Sequence, residues 1–389
     1  MKARHESYDY LIIGCGLTGA TLAERIANVL DASVLVIDRR DHIGGLCYDE
    51  LDDHGILAGK YGAHIFHTAS DRVWKYVSHF TAFNAYIHRV DAYHDGHFYA
   101  MPLGLDAINS FFGSRLNEEQ LPAFLEQLSE HIPHPRNAEE VMVSTVGWEL
   151  YEAFFQNYIR KMWATDPRDL DPAAVMHVPP VRLTGYTPYF LDPWQGVPLE
   201  GYTTMFERML DHKNIRICLN TDYRQAASAV AWRYLVFTGS IDAYFDHVFG
   251  RLPYRSVDFR FETKACDRMQ HRGVLMYPND HEYMRSAEFK WIYQQQHEKT
   301  TICRYVPVWN DDEPCYPVPC PANRALYLKY KDRGDGLRNT YFCGRLGTYA
   351  DLTMGESVAH ALALFERRIA PDARAGLARV TMSVPYTLE

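Results

Sequence analysis

The spacing of apolar positions changes several times along the chain. Residues 8–14, YDYLIIG, form a short apolar run that reads as a buried strand ending in glycine. TLAERIANVL (21–30) spaces its apolar residues three and four apart, the period of a helix with one buried face. SVLVID (33–38) is again a short apolar run. Strand, helix and strand in that order predict a βαβ unit with parallel strands.

From residue 86 onward this alternation stops. Residues 117–131 and 148–163 take the helical period, and the second stretch carries Trp148, Tyr151, Phe154, Phe155, Tyr158 and Trp163, several of them on one side. Residues 171–200 are rich in Pro, Gly and Tyr and predict irregular loops lining a site. RYLVFTG (233–239) reads as a strand closed by a glycine turn, and 253–310 alternate as antiparallel strands do. Residues 340–344 read as a last strand and GESVAHALALFERRI (355–369) as a last helix. The βα pattern thus opens the chain, is interrupted and returns. The layout expected is α/β with α+β insertions. A discontinuous Rossmann-type domain takes 1–85, 215–245 and 338–389, a helical insertion 86–170, and an antiparallel-sheet domain 171–214 and 246–337.

Between the first strand and helix lies Gly14-Cys15-Gly16-Leu17-Thr18-Gly19, the pattern G-x-G-x-x-G in the context it requires. Gly14 permits the tight turn, Gly16 lets backbone approach a pyrophosphate, and Gly19 lets helix and strand pack closely. The helix N-terminus offers N–H groups and a positive dipole end to the phosphates. Asp38 ends the next strand, nineteen residues after Gly19, where a carboxylate accepts from ribose hydroxyls. These residues serve FAD or NAD(P). The continuation Asp38-Arg39-Arg40 with Gly44-Gly45 is more similar to FAD-binding flavoproteins.

Composition narrows the partners. A net charge of -9 over 389 residues argues against a nucleic-acid partner. No apolar run reaches the length of a membrane span. The eight cysteines are scattered without a CxxC pair, which predicts reduced thiols and a cytoplasmic protein. His64 and His67 in HIFH are three apart, but no Glu or Cys stands at a zinc-site spacing, so no metal is expected.

Five segments carry a resemblance over nearly the whole chain: 43–68 (IGGLCYDELDDHGILAGKYGAHIFHT), KMWATDP (161–167), YPNDHEYMRSAEFK (277–290), EPCYPVP (313–319) and FCGRLGTY (342–349). In order and spacing they resemble the bacterial UDP-galactopyranose mutases. The resemblance implies FAD, active when reduced by an external reductant. It also implies interconversion of pyranose and furanose forms of a nucleotide sugar through a reduced-flavin N5–sugar adduct, without net redox change. A homodimer is compatible with it. The rival reading is an FAD oxidoreductase of the amine oxidase or desaturase type.

Carried over residue by residue, the resemblance implies flavin contacts at Gly14, Gly16, Leu17, Thr18, Gly19, Asp38, Arg39, Gly45, Leu46, Tyr61, His64, Thr238, Gly239, Arg345, Leu352, Thr353 and Met354. It implies substrate contacts at Phe154, Tyr158, Trp163, Tyr189, Asn279 and Tyr316, with Arg285 holding the diphosphate. Two departures touch that diphosphate. His177 stands where the family has an arginine, and Asp351 where it has a phosphate-binding tyrosine. With His64 and Arg285, these two are the candidate catalytic residues. Gly104, Leu46 and Thr353 also differ from the family pattern. A carboxylate beside a diphosphate is repulsive, so a substrate other than plain UDP-galactose is expected.

Overall fold

A computed structural model describes residues 6–375 except 177, 186, 187 and 311. Strand Val34–Ile37 is buried on both faces, as the continuous apolar run requires. It lies in a five-stranded parallel sheet ordered Thr340–Phe342, Ala231–Phe237, Ser7–Ile13, Val34–Ile37 and Ile215–Cys218. Leu11 pairs with Leu235 on one side and Leu35 on the other. Helix Leu17–Leu30 packs against helices Met354–Leu364 and Gly201–Leu210. Helix Met354–Leu364, far along the chain, thus packs directly on the first helix.

The second sheet has seven strands: Tyr316–Pro317, Tyr254–Lys264, Thr300–Val308, Arg285–Glu288, Val274–Met276, Val90–His94 and His97–Met101. All its pairings are antiparallel except Val274–Met276 with Val90–His94. A helical layer is inserted between strands His97–Met101 and Tyr254–Lys264 in sequence: Leu105–Phe112, Leu121–Leu128, Ala138–Leu150 and Gln156–Trp163.

Two segments depart from the expected division. Residues 90–101, assigned above to the helical insertion, are a hairpin in the seven-stranded sheet. Helix Gly201–Leu210, assigned to the sheet domain, packs on the Rossmann-type helix Leu17–Leu30. Both are pairings distant in sequence, which local periodicity does not encode. Among the described residues no helix is long and apolar enough to cross a membrane.

Candidate active site

Two hollows meet at the C-terminal edge of the parallel sheet. The smaller, about 170 Å³, is lined by Gly14, Gly16, Leu17, Thr18, Gly19, Asp38, Arg40, Gly45, Leu46, Thr238 and others. Its geometry shows why glycine is needed. Gly14 has φ +97°, and a Cβ on it would lie 2.1 Å from Thr238 Oγ1. A Cβ on Gly19 would lie 1.9 Å from the Gly14 carbonyl oxygen. Gly45 and Gly16 pass so closely that a Cβ on Gly45 would lie 2.9 Å from Gly16 Cα. The buried Asp38 carboxylate accepts from the N–H of Cys15 (2.8 Å) and of Arg40 (3.0 Å). A carboxylate has lone pairs beyond these two for ribose hydroxyls. Bare backbone at a helix N-terminus, with a fixed carboxylate at one end, fits a dinucleotide. Cys15 and Cys47 stand beside it, and burial pushes both thiols up to about 12, so they stay protonated.

The larger cavity, about 370 Å³, shares His64, Arg345, Leu352 and Met354 with the cleft. Tyr158, Trp163, Tyr189, Arg285, Tyr316, Asp351 and Thr353 line it. Arg285 lies over the Tyr305 ring at 4.4 Å. Its buried Nε–H makes no hydrogen bond, and no carboxylate pairs with it among the described residues. Arg345 is more occupied. It donates to the carbonyls of Leu352 (2.8 Å) and Cys315 (3.3 Å), lies over Tyr316 at 5.0 Å, and stands 3.7 Å from the Asp351 carboxylate. Thr353 caps helix Met354–Leu364 in a reciprocal box with Glu356, fixing the helix end that both hollows share.

Several expected residues lie elsewhere. Phe154 is fully buried among Tyr99, Phe111 and His94, and its neighbour Phe155 lines the cavity. The cause is a π-turn at Tyr151–Phe155, which widens the winding and moves the aromatic face by one residue. Asn279 is exposed and outside the cavity, donating to Ala153 O at 2.9 Å. Arg39 is exposed and pairs with Glu313, while Arg40 lines the cleft. The bend just past strand Val34–Ile37 turns only one of two adjacent arginines inward. Tyr61 accepts from Arg40 Nε at 3.1 Å and lies in a neighbouring groove. Gly239 lies just past the cleft wall, which Thr238 forms. HIFH is not helical; it runs into strand Phe66–Thr68, yet His64 and His67 both line the cavity. His177 lies outside the described residues. Sequence reasoning missed Phe155, His88 and five of the six cavity methionines, 101, 142, 162, 276 and 284, whereas Met354 was expected as a flavin contact.

Residues 153–350 match the model of the family described as UDP-galactopyranose mutase, and residues 12–80 match a Rossmann-like NAD(P)-binding domain. A probable UDP-galactopyranose mutase of Klebsiella pneumoniae is 34% identical over 91% of this chain and 93% of its own. The chain belongs to the UDP-galactopyranose mutase family. A dTDP-fucopyranose mutase of Escherichia coli is 33% identical over 90% of this chain and 96% of its own. The crystal structure of a reduced UDP-galactopyranose mutase superposes with a TM-score of 0.73, covering 96% of each chain at 18% identity, which shows the shared fold. The protein is a flavin-dependent sugar mutase, and the oxidoreductase alternative has less support.

Burial holds two cavity histidines neutral: His64 is lowered to about 4 and His88 to about 3. Unfolding releases both to an ordinary imidazole. Stability is therefore full above pH 6.5 and is lost as pH falls from there toward 4, because the unfolded chain takes up protons that the folded one refuses. Between pH 7 and 5 the two groups together remove roughly 3 kcal/mol. Urea unfolding at the two pH values checks this, and an unchanged midpoint would refute it.

Proposed function

We propose that the substrate is a nucleoside-diphosphate deoxyhexose, and that the enzyme interconverts its pyranose and furanose rings with reduced FAD. The observation that carries this reading is the cavity lining. Six methionines contribute to it; its polar side chains are His, Tyr, Arg, Asp351 and Thr353, with no Asn, Gln, Ser or Lys among the described residues. Each sugar hydroxyl buried there without a partner costs about 1–3 kcal/mol, so a sugar with fewer hydroxyls fits better. The Asp351 carboxylate supports it by occupying Arg345, which leaves Arg285 as the cavity cation without an acid. The similar E. coli relative named for a dTDP-sugar agrees with this reading.

The glycine cleft, Asp38 and Arg40 would hold the FAD, with its ring near His64, Leu352 and Met354 where the two hollows join. When bound and reduced, the flavin supplies an electron-rich nitrogen nucleophile beside the anomeric carbon. The chain's own residues do the rest. Arg285 stabilises the charge on the departing nucleoside diphosphate, with the phenols of Tyr158, Tyr189 and Tyr316 around it. Trp163, Phe155 and Tyr158 offer aromatic faces to the base. The apolar wall excludes water that would otherwise trap the ring-opened sugar.

The test compares UDP-galactofuranose with dTDP-fucofuranose, using the dithionite-reduced enzyme and following appearance of each pyranose. We expect kcat/KM to favour the dTDP-deoxysugar by at least about tenfold, one unpaired buried hydroxyl. Equal or reversed preference would sink the substrate reading while leaving the mutase reading intact. Failure with both sugars in an enzyme that holds reduced flavin would count against both.

A further inference from the structure

One pair of titratable side chains on the cavity wall is not used by the reading above. His67 Nδ1 lies 2.5 Å from the Asp192 carboxylate, and the two are 125 residues apart in the chain. The imidazole is stacked on Phe190, with ring centroids 3.6 Å apart and planes within 11°. A carboxylate on one nitrogen and a ring against one face leave little rotational freedom. Strand pairing does not need this side chain, since His67 pairs with Gln195 through backbone. The 189–195 loop is held separately, by Gln195 Nε2 donating to the carbonyls of Phe190 and Asp192. The carboxylate is thereby free to orient the imidazole. Its Nε2 makes no hydrogen bond among the described residues, and His67 lines the same cavity as Arg285 and His64.

The surroundings single this histidine out. Across Phe190 stands His88, kept neutral by burial, and His64 is kept neutral likewise. Neither has a carboxylate partner among the described residues. The other charged groups near His67 are committed elsewhere or lie beyond His88. Asp71 accepts from Trp194 Nε1 at 2.7 Å, and Glu356 closes the helix cap. Arg285 acts on His88. Helix Met354–Leu364 presents Gly355, not a charge, against the His67 backbone.

We propose that His67 carries the proton of the ring interconversion and that Asp192 positions it. The proposal rests on the mutase reading. When the old ring opens, its carbon–oxygen bond breaks with the electron pair on oxygen, and that oxygen takes the proton from Nε2. When the new ring closes, a different hydroxyl bonds the same carbon through its lone pair and returns its proton to Nε2. The two transfers balance, and no other acid or base is consumed. His67 therefore starts each cycle as the imidazolium and is the neutral Nδ1–H form only between the two transfers; Asp192 holds the Nδ1–H in both states.

The test uses the flavin-loaded full chain. In His67→Gln, kcat on the better of the two furanose substrates is expected to fall at least about 100-fold, the scale of general acid–base catalysis. KM and the Kd for dTDP should stay within about threefold of wild type. Added imidazole should restore part of the rate in His67→Gly. In Asp192→Asn, 15N-histidine NMR should show loss of the carboxylate-bonded Nδ1–H seen in wild type, with a smaller fall in kcat. Unchanged kcat in His67→Gln would overturn the proposal. So would a loss matched by weaker dTDP binding, or a wild-type His67 protonated at Nε2 alone. Wild-type turnover reads the mutase activity, and only the ratio of variant to wild type reads the pair.

Discussion

Replacing Arg285 with alanine is expected to lower kcat/KM by about three orders of magnitude without lowering Tm. The guanidinium has a buried, unpaired Nε–H, an aromatic floor at Tyr305 and no acid beside it among the described residues. It is a desolvated cation that awaits an anion. Removing one partner of a buried charge-assisted contact costs about 3–5 kcal/mol, and each 1.36 kcal/mol is about tenfold. The same reasoning gives the effect on stability. In the free protein the charge is desolvated with the Tyr305 ring beneath it but no acid beside it among the described residues, so its loss relieves a cost. Steady-state kinetics and a thermal melt of Arg285→Ala check both halves. A loss under about tenfold, or a large fall in Tm, would show that Arg285 holds the fold and not the phosphate.

The second large effect concerns the glycine cradle, where two variants separate folding from cofactor binding. A Cβ on Gly19 collides with the Gly14 carbonyl at 1.9 Å, so Gly19→Ala should destabilise helix–strand packing as well as empty the site. A Cβ on Gly16 meets nothing closer than Gly45 Cα at 3.9 Å. The protein itself therefore tolerates a Cβ there, and only a ligand in close backbone contact would not. Gly16→Ala should fold with a near-normal Tm yet bind FAD about 10–100-fold more weakly, the equivalent of roughly 1–3 kcal/mol of overpacking. Flavin absorbance after desalting and a fluorescence titration of the apoprotein measure it. Undiminished FAD affinity in Gly16→Ala would mean that the pyrophosphate does not rest on this turn.

How much of this was legible beforehand follows from where each constraint resides. The nucleotide end is written locally. A buried parallel strand needs an unbroken apolar run, a pyrophosphate turn needs residues without Cβ, and a ribose needs an acid at the next strand end. Those signals fall between Tyr8 and Asp38, and the cleft gathers Gly14, Gly16, Gly19 and Asp38 as they predict. The aromatic wall was half legible. Helical spacing brings Phe154 and Tyr158 to one side, but a single π-turn after Leu150 exchanges Phe154 for Phe155. No residue type announces such a turn.

The chain's sequence by itself determined the βα frame, the glycine cradle and the substitution of an acid at 351. It also showed that Asp351 departs from the family pattern, though not what Asp351 would face. The tertiary structure alone decided that Asp351 stands against Arg345, that Arg285 is left without an acid, that residues 90–101 join the second sheet, and that His67 meets Asp192. The reason is physical. Period and turn chemistry act over one or two turns of chain, whereas the charge and shape of a cavity depend on how packing orients its groups, some of them a hundred residues or more apart.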